Sequence, residues 1–192
     1  MKTILKIIIV FIASSIILLG QSSSLDIKLG ILVFSNNSIS TAKNYEKIKS
    51  KDKFQVIIQC KKNYYLYIIN YNENNAKIMY HNLISSNEFM ELPAKNEYYS
   101  FDGLFEYEYL SIIIFKERNI FLEELFSNNS LEFNIWEKHE KNLIDKSLFR
   151  FIGPYDFNEG IAGNIRGNNK IKLLEFNFNN HFIIKYTFYV KK

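Results

Sequence analysis

Cysteine is almost missing from this chain of 192 residues, in which Cys60 is the single thiol. A lone thiol cannot form an internal disulfide, so the fold depends on its hydrophobic core. To act as a nucleophile, Cys60 would need a nearby base that generates a thiolate, yet it ends a strand-like run and precedes two lysines. We therefore predict that Cys60 is a buried or edge-strand residue with a structural role.

A large excess of charge of one sign is also missing. The chain has 24 basic residues, and removal of Lys2 and Lys6 with an N-terminal segment leaves 22 basic against 20 acidic residues, a balance of +2. Domains that bind nucleic acids usually carry a clear basic excess. The near-neutral balance therefore argues against a nucleic-acid partner.

Motifs for catalysis and metal binding are missing as well. His81, His139 and His181 lie far apart, without the spacing of a zinc site, and we predict surface or turn positions for them. No serine has the Gly-x-Ser-x-Gly context of a hydrolase. The glycine-bearing residues 160–167 lack the spacing of a phosphate-binding loop and are predicted to form a surface loop. We assign no catalytic, cofactor-binding or metal-binding residue and predict a non-enzymatic protein without a cofactor.

Four carboxylates flank apolar segments: Glu106, Glu108, Glu123 and Glu124. Glycoside hydrolysis needs two carboxylates across a cleft, but acids beside apolar strands and helices are usually solvated. The alternative to a binding protein is an envelope hydrolase whose site forms only in the fold, with His81 beside Glu106 or Glu108.

Residues 1–24 are typical of a secretory signal peptide, with a basic start, an apolar middle and small residues at the end. The apolar run at residues 7–19 spans 13 residues, whereas a membrane-spanning helix needs about 20. We predict cleavage before Ser23 or Leu25 and no stable membrane insertion afterwards. An uncleaved anchor is the alternative.

No cysteine follows these small residues, so we expect no lipid anchor and predict a periplasmic or secreted protein. Residues 25–53 are interpreted as a lead-in segment, with a loop or short helix at residues 35–53. Residues 54–192 are interpreted as a single β-rich domain, because this length supports one hydrophobic core.

Strand patterns dominate this domain. Residues 54–60 alternate with a period of two, and residues 64–71 are rich in aromatic and β-branched side chains. Residues 76–80 are predicted to return as a hairpin, with a loop from His81 onwards. Residues 107–115 are predicted to form a central buried strand.

The C-terminal half mixes helix and strand signals. Residues 120–126 have the spacing of an amphipathic helix, and residues 131–141 fit either a strand or a helix. Residues 170–178 and 181–190 are predicted to pair as a terminal hairpin. We therefore predict a mainly β fold, with β-sandwich-like antiparallel sheets and one or two short helices.

Residues 54–116 carry an ordered series of segments, which are Phe54-Gln55-Val56-Ile57-Ile58, Tyr65-Leu66-Tyr67-Ile68-Ile69-Asn70-Tyr71, Lys77-Ile78-Met79-Tyr80-His81-Asn82, Met90-Glu91-Leu92-Pro93 and Leu110-Ser111-Ile112-Ile113-Ile114. This series resembles the bacterial family called domain of unknown function 4384. The sequence departs from the family pattern at residues 79–82, where the family often has Leu-Phe-Pro-Asn. The resemblance implies a compact β-sandwich-like module of exported or envelope proteins, without catalytic residues.

Tyrosines are abundant on the predicted strands, for example Tyr64, Tyr65, Tyr67, Tyr71, Tyr98 and Tyr99. Aromatic strands can stack sugars or bases, but core packing and cross-strand pairs explain most such residues. We predict a module that binds or supports another cell-envelope component, either an envelope protein or a glycan. An exposed strand edge would favour this function, because such edges accept partner strands.

Overall fold

The computed structural model describes residues 27–35, 38–101, 103–147, 149–157, 171–178 and 180–191. These residues form a mainly β fold with two packed sheets and two short helices, which confirms the predicted fold class. The predicted signal peptide and the loop at residues 160–167 lie outside the described residues.

In chain order the strands are β1 (Ile27–Ser35), β2 (Ser38–Thr41), β3 (Glu46–Lys49), β4 (Lys53–Cys60), β5 (Tyr64–Tyr71), β6 (Asn75–Ile84), β7 (Phe89–Leu92), β8 (Tyr99–Ser100), β9 (Tyr107–Phe115), β10 (Ser130–Glu132), β11 (Phe149–Phe157), β12 (Ile171–Phe178) and β13 (His181–Lys191). The helices are α1 (Ile120–Leu125) and α2 (Phe133–Lys146).

The strands divide into two sheets. Sheet A has the order β11-β12-β1-β4-β7, with β2 also paired to β1 and β8 also paired to β4. Sheet B has the order β10-β6-β5-β9-β13-β3. The described pairs are antiparallel except for β3, which runs parallel to β13 at one edge of sheet B. The predicted strand at residues 107–115 is β9, which lies centrally between β5 and β13.

The main core fills the space between the two sheets. Alternate residues of each strand point to this space, as the two-residue period of a strand requires. Sheet A contributes Leu29 and Val56, and sheet B contributes Ile112 and Phe182, all of them buried. The rings of Phe176 and Phe182 lie 4.4 Å apart and join the sheets. This face-to-face arrangement is that of a β-sandwich.

A second core lies on the outer face of sheet B, beneath the helices. The opposite set of alternate residues, such as Tyr71 and Ile113, packs there against Leu122 of α1 and Trp136 of α2. Because both faces of sheet B are buried, its central strands are almost continuously apolar. The part of the outer face of sheet B that α1 and α2 do not cover is open to solvent.

Two short strands replace the loop or short helix predicted at residues 35–53. β2 pairs with the end of β1, and β3 pairs with the end of β13. β1 itself lies inside sheet A between β12 and β4. The loop-or-helix prediction was wrong because strands of four residues on a sheet edge are too short to show clear alternation.

The predicted terminal hairpin is also wrong. β12 pairs with β1 and β11 in sheet A, whereas β13 pairs with β9 and β3 in sheet B. The short connection at Asn180 therefore crosses from one sheet to the other. Both strands have the alternation of a hairpin, but alternation shows only which face is buried and does not identify the partner strand.

β6 extends to Ile84, although residues 81–88 were predicted to form a loop. Residues 81–84 are paired with β5 and are mostly exposed, so their polar character marks the solvent-facing end of a strand. In the described residues, no helix is long and apolar enough to span a membrane.

Candidate functional site

A buried polar cluster fixes α2 to the outer face of sheet B. The Glu140 side chain of α2 is buried, and the Tyr71 hydroxyl lies 2.7 Å from each of its carboxylate oxygens. The Ser111 hydroxyl donates a hydrogen bond to Glu140 Oε1. Lys185 Nζ of β13 donates to Glu140 Oε2 at 3.2 Å. One helix residue is thus joined to three strands of the sheet.

Lys185 compensates the negative charge of the Glu140 carboxylate. An uncompensated carboxylate in an apolar core is strongly unfavourable, and Lys185 supplies the opposite charge at close range. The Lys185 ammonium also lies over the rings of Tyr71 and Tyr109, 5.1 Å and 4.7 Å from their centroids. Burial and the nearby Glu140 carboxylate raise the pKa of Tyr71, so its hydroxyl stays a hydrogen-bond donor. The cluster is suited to holding the helix in place.

A second polar cluster holds α1. The Tyr67 hydroxyl donates to Glu123 Oε1 at 2.9 Å and accepts the N–H of Asn119 at 3.0 Å. The Arg118 guanidinium binds both oxygens of Glu123, and this contact is the main reason that the pKa of Glu123 is lowered. Burial raises the pKa of Tyr67 to about 12. Glu123 was predicted to be solvated, but its contacts make it an anchor of the helix.

An apolar pocket of about 430 Å³ opens between the sheets beside β13. Its apolar lining comes from Gly30, Ala42, Leu174, Ile184 and Tyr186. Lys43, Asn44 and Lys185 complete the lining, and the Lys185 ammonium itself is bonded to Glu140 on the outer face of sheet B. The size and apolar character are those of a pocket for a small ligand or a large apolar side chain.

β13 has a stretch without a strand neighbour on one side, next to this pocket. β9 pairs with one side of β13 over residues 181–189, whereas β3 pairs with the other side only over residues 188–191. On that other side, the Tyr45 N–H donates to the Thr187 carbonyl at 2.7 Å. The backbone groups of Ile183 and Lys185 point the same way, because strand residues alternate between the two sides. In the described part of the chain, no strand pairs with them there.

We call the backbone of residues 183–185, which has no strand neighbour on this side, and the adjacent pocket the edge site. No local sequence pattern indicates this site, because its residues come from β1, β12, β13 and the turn before β3. The apolar alternation of β13 predicted a strand, but only the sheet order shows which part of that strand lacks a neighbour.

The structure separates the residues of the hydrolase hypothesis. His81 is exposed on β6 and lies opposite Tyr67 of β5. Tyr67 in turn lies opposite Ile113 of β9, so His81 and Ile113 are at the same level of the sheet. Glu108 lies five positions before Ile113, which corresponds to about 16 Å along the strand. Glu108 is buried and accepts the N–H of Gly103 at 3.4 Å, whereas Glu106 is exposed. No catalytic pair forms from His81 and either glutamate.

The structure agrees with some of the other predicted positions and not with others. Cys60 is buried on β4, which agrees with the prediction of a buried or edge-strand residue. His181 is not at a surface turn: it begins β13, is buried, and its Nε2 lies 2.8 Å from the Leu143 carbonyl. His139 is half-buried beside Phe121, with 5.3 Å between the rings. Glu124 is exposed, as predicted for a solvated acid.

The tyrosines of the predicted strands are mainly structural. Tyr64 is buried in the main core, while Tyr67 and Tyr71 are buried under the helices. Tyr98 is exposed and contacts the ring of Phe34 at 4.7 Å. The prediction that core packing and cross-strand pairs explain most of these rings is therefore confirmed.

No family model, curated protein or solved structure matches the chain. The resemblance of residues 54–116 to domain of unknown function 4384 stays a prediction. Among the residues that the structure describes, no group of three His, Cys, Asp or Glu side chains is arranged to hold a metal ion.

Proposed function

We propose that this chain is an exported, non-enzymatic β-sandwich module that binds another component of the cell envelope. The partner is a protein, and it contributes an extended segment that lies along the edge site. The segment adds a strand next to residues 183–185 of β13 and places a large apolar side chain in the pocket.

The observation that carries this proposal is the combination of an open strand edge with an apolar pocket. Recognition by strand addition uses main-chain hydrogen bonds for affinity and side-chain pockets for specificity. Here the backbone groups of Ile183 and Lys185 supply the first, and the pocket lined by Ala42, Leu174 and Ile184 supplies the second. β3 already pairs with the next part of the same edge, so a partner strand would continue an existing row.

The positive charge of Lys43 beside the pocket favours an acidic segment. Lys43 lines the pocket and is exposed in the turn before β3. A carboxylate next to the apolar side chain of the partner would be attracted to the Lys43 ammonium. Such rim charges mainly guide association and fix the register of the segment.

Two further observations support the rest of the proposal. The signal-like residues 1–24 support export to the periplasm or the medium. The separation of His81 from Glu106 and Glu108, together with the anchoring roles of Glu123 and Glu140, supports a non-enzymatic role. The hydrogen bonds of Glu123 and Glu140 attach the helices to sheet B.

Site-specific crosslinking tests the proposed function. A photoreactive amino acid replaces Lys43 at the edge site, and a second variant carries it at Lys95, which is exposed in the loop after β7. In native cells, the first variant should crosslink to one extended, acidic segment of an envelope protein, and the Lys95 variant should not.

The variant Ala42→Leu provides the matched test of the pocket. The larger side chain fills the pocket, and we expect the Lys43 crosslink to fall at least about tenfold while the fold is kept. Ala94→Leu, away from the pocket, should leave the crosslink unchanged. Equal crosslinking in both variants, or products spread over many unrelated segments, would show that the edge site does not bind a specific partner.

A further inference from the structure

Four tyrosines form a second surface feature on sheet B, which we call the tyrosine platform: Tyr45, Tyr107, Tyr109 and Tyr189. Tyr107 of β9 and Tyr189 of β13 are opposite each other in the antiparallel pair, and their rings lie 5.6 Å apart in a T-shaped arrangement. Tyr109 follows Tyr107 by two positions and therefore shares its face. Tyr45 stands in the turn before β3, hydrogen-bonded through its backbone to β13.

The platform lies where the helix cover of sheet B ends. Tyr71 contacts Phe133 and Trp136 of α2, and the ring of Tyr109 stacks on the other side of Tyr71 at 4.9 Å. Beyond this border the rings are accessible. Tyr45 is 73% exposed and Tyr107 is 36% exposed, while Tyr109 and Tyr189 are half-buried. The surface therefore presents adjacent aromatic rings to solvent.

Tyr45 has an unfavourable backbone conformation. Its φ angle is +61°, in the left-handed region where a bulky side chain is a genuine outlier. The fold needs this conformation, because the Tyr45 N–H bonds to Thr187 and the Asn44 side chain bonds to the Thr187 N–H at 2.7 Å. Glycine or asparagine would adopt it more easily. A largely exposed tyrosine at this position adds little to the core, and retention of such strain is typical of a ligand contact.

Carboxylates border the rings. Burial is the main cause of the raised pKa of Tyr109, and Glu73 adds to it, followed by Tyr107, Tyr45 and Glu137. The Lys185 ammonium also lies 4.7 Å from the centroid of the Tyr109 ring, so groups of both signs border the platform. The border therefore lacks the clear basic excess that a nucleic acid or an acidic polysaccharide would need. The same carboxylates are good hydrogen-bond acceptors for hydroxyl groups.

We infer that the tyrosine platform binds a neutral saccharide chain, with sugar rings stacked on Tyr107 and Tyr45. A pyranose ring has a flat face of C–H groups and a rim of hydroxyl groups. The platform offers the matching pattern of aromatic faces bordered by the phenol groups and the carboxylates of Glu73 and Glu137. The large side chains of the platform all end in a hydroxyl, whereas the lining of the edge site is mainly aliphatic.

This binding is independent of the edge site, although both lie along β13. The platform uses the outer face of sheet B, and the pocket opens toward the space between the sheets. Ala42→Leu should therefore leave saccharide binding unchanged, so the two proposals can fail separately.

Titration of the purified chain with neutral oligosaccharides tests the inference. The probes are β-linked glucose and N-acetylglucosamine hexamers, and the counterprobes are polygalacturonate and a single-stranded oligonucleotide. We expect a neutral hexamer to bind and the anionic probes not to bind at the same concentration. Tyr107→Ala should weaken binding about tenfold, in the range known for the loss of one stacking ring.

Tyr98→Ala is the matched control. Tyr98 is 37% exposed and also has a T-shaped aromatic neighbour, but it lies beside sheet A, near Lys53 and Phe34. This variant should bind the hexamer as the original chain does. The inference is overturned if no neutral hexamer binds, if an anionic probe binds more tightly, or if Tyr98→Ala and Tyr107→Ala weaken binding equally.

Discussion

Two residues of this protein have an intrinsically unfavourable environment or conformation, one a buried charge and the other a left-handed backbone. Glu140 is a charged group inside an otherwise apolar layer, and it is held by Tyr71, Ser111 and Lys185. Tyr45 is a bulky residue in the left-handed backbone region. Both cases can be tested by substitution, because the physical reason for each predicts the sign of the change.

Glu140→Ala should lower the free energy of unfolding by about 3 kcal/mol. The change leaves Lys185 without its counter-charge, leaves two buried hydroxyls without an acceptor and creates a cavity. Urea unfolding measures the effect. The control is Glu137→Ala, an exposed position on the same helix, which should stay within about 0.5 kcal/mol of the original chain. Equal effects of the two variants would contradict the role of the buried cluster.

Tyr45→Gly should raise the free energy of unfolding by about 0.5 kcal/mol, because relief of the left-handed strain exceeds the added flexibility of the unfolded chain. Lys51→Gly is the matched control, since Lys51 is exposed and has a φ of +72°. Both variants should be stabilised in thermal unfolding, but only Tyr45→Gly should lose saccharide affinity. A loss of stability in Tyr45→Gly would show that the ring supports the fold.

At the scale of elements, the sequence indicated strands well and strand partners poorly. The apolar run at residues 107–115 predicted a central strand, since a strand buried on both faces is apolar at nearly every position. The same logic failed for β12 and β13, which are adjacent in sequence and lie in opposite sheets. Their pairing depends on β1 and β9, far away in the sequence, so local pattern could not reveal it.

The turn before β9 depends on Gly103. Its φ is +70°, and a Cβ atom there would lie 2.6 Å from the Cβ of Ser50. Gly103→Ala should therefore lower the free energy of unfolding by about 2–4 kcal/mol, through backbone strain and steric overlap. Adding Ser50→Gly should recover the steric part and leave the strain. Absence of any recovery in the double variant would contradict the contact.

At the scale of the molecule, sheet B is the middle layer, between sheet A and the two helices. The helices do not cover the tyrosine platform or the edge of β13. The sequence predicted the two-sheet class because alternation and β-branched residues are local signals. It missed the edge site and the platform, because each is assembled from segments that only the fold brings together. The two-residue spacing of Tyr107 and Tyr109 was the one local sign of the platform.

Buried tyrosines should make the protein sensitive to alkaline pH. Burial raises the pKa of Tyr186 from 10.0 to about 12. Between these values the unfolded chain releases a proton that the folded chain keeps. Stability is therefore complete below pH 10 and falls by about 1.4 kcal/mol per pH unit above it from this residue. Chemical unfolding across this range should show a shallower decline for Tyr186→Phe, and an unchanged slope would contradict the burial effect.

The most direct test of the proposed binding function is amide hydrogen exchange at Ile183 and Lys185. In the isolated full-length chain we expect both amides to exchange much faster than those of Ile184 and Tyr186, which face β9. Adding the partner segment identified by crosslinking should slow Ile183 and Lys185 specifically. Full protection of these two amides in the isolated chain, or no change on binding, would show that this edge does not accept a partner strand.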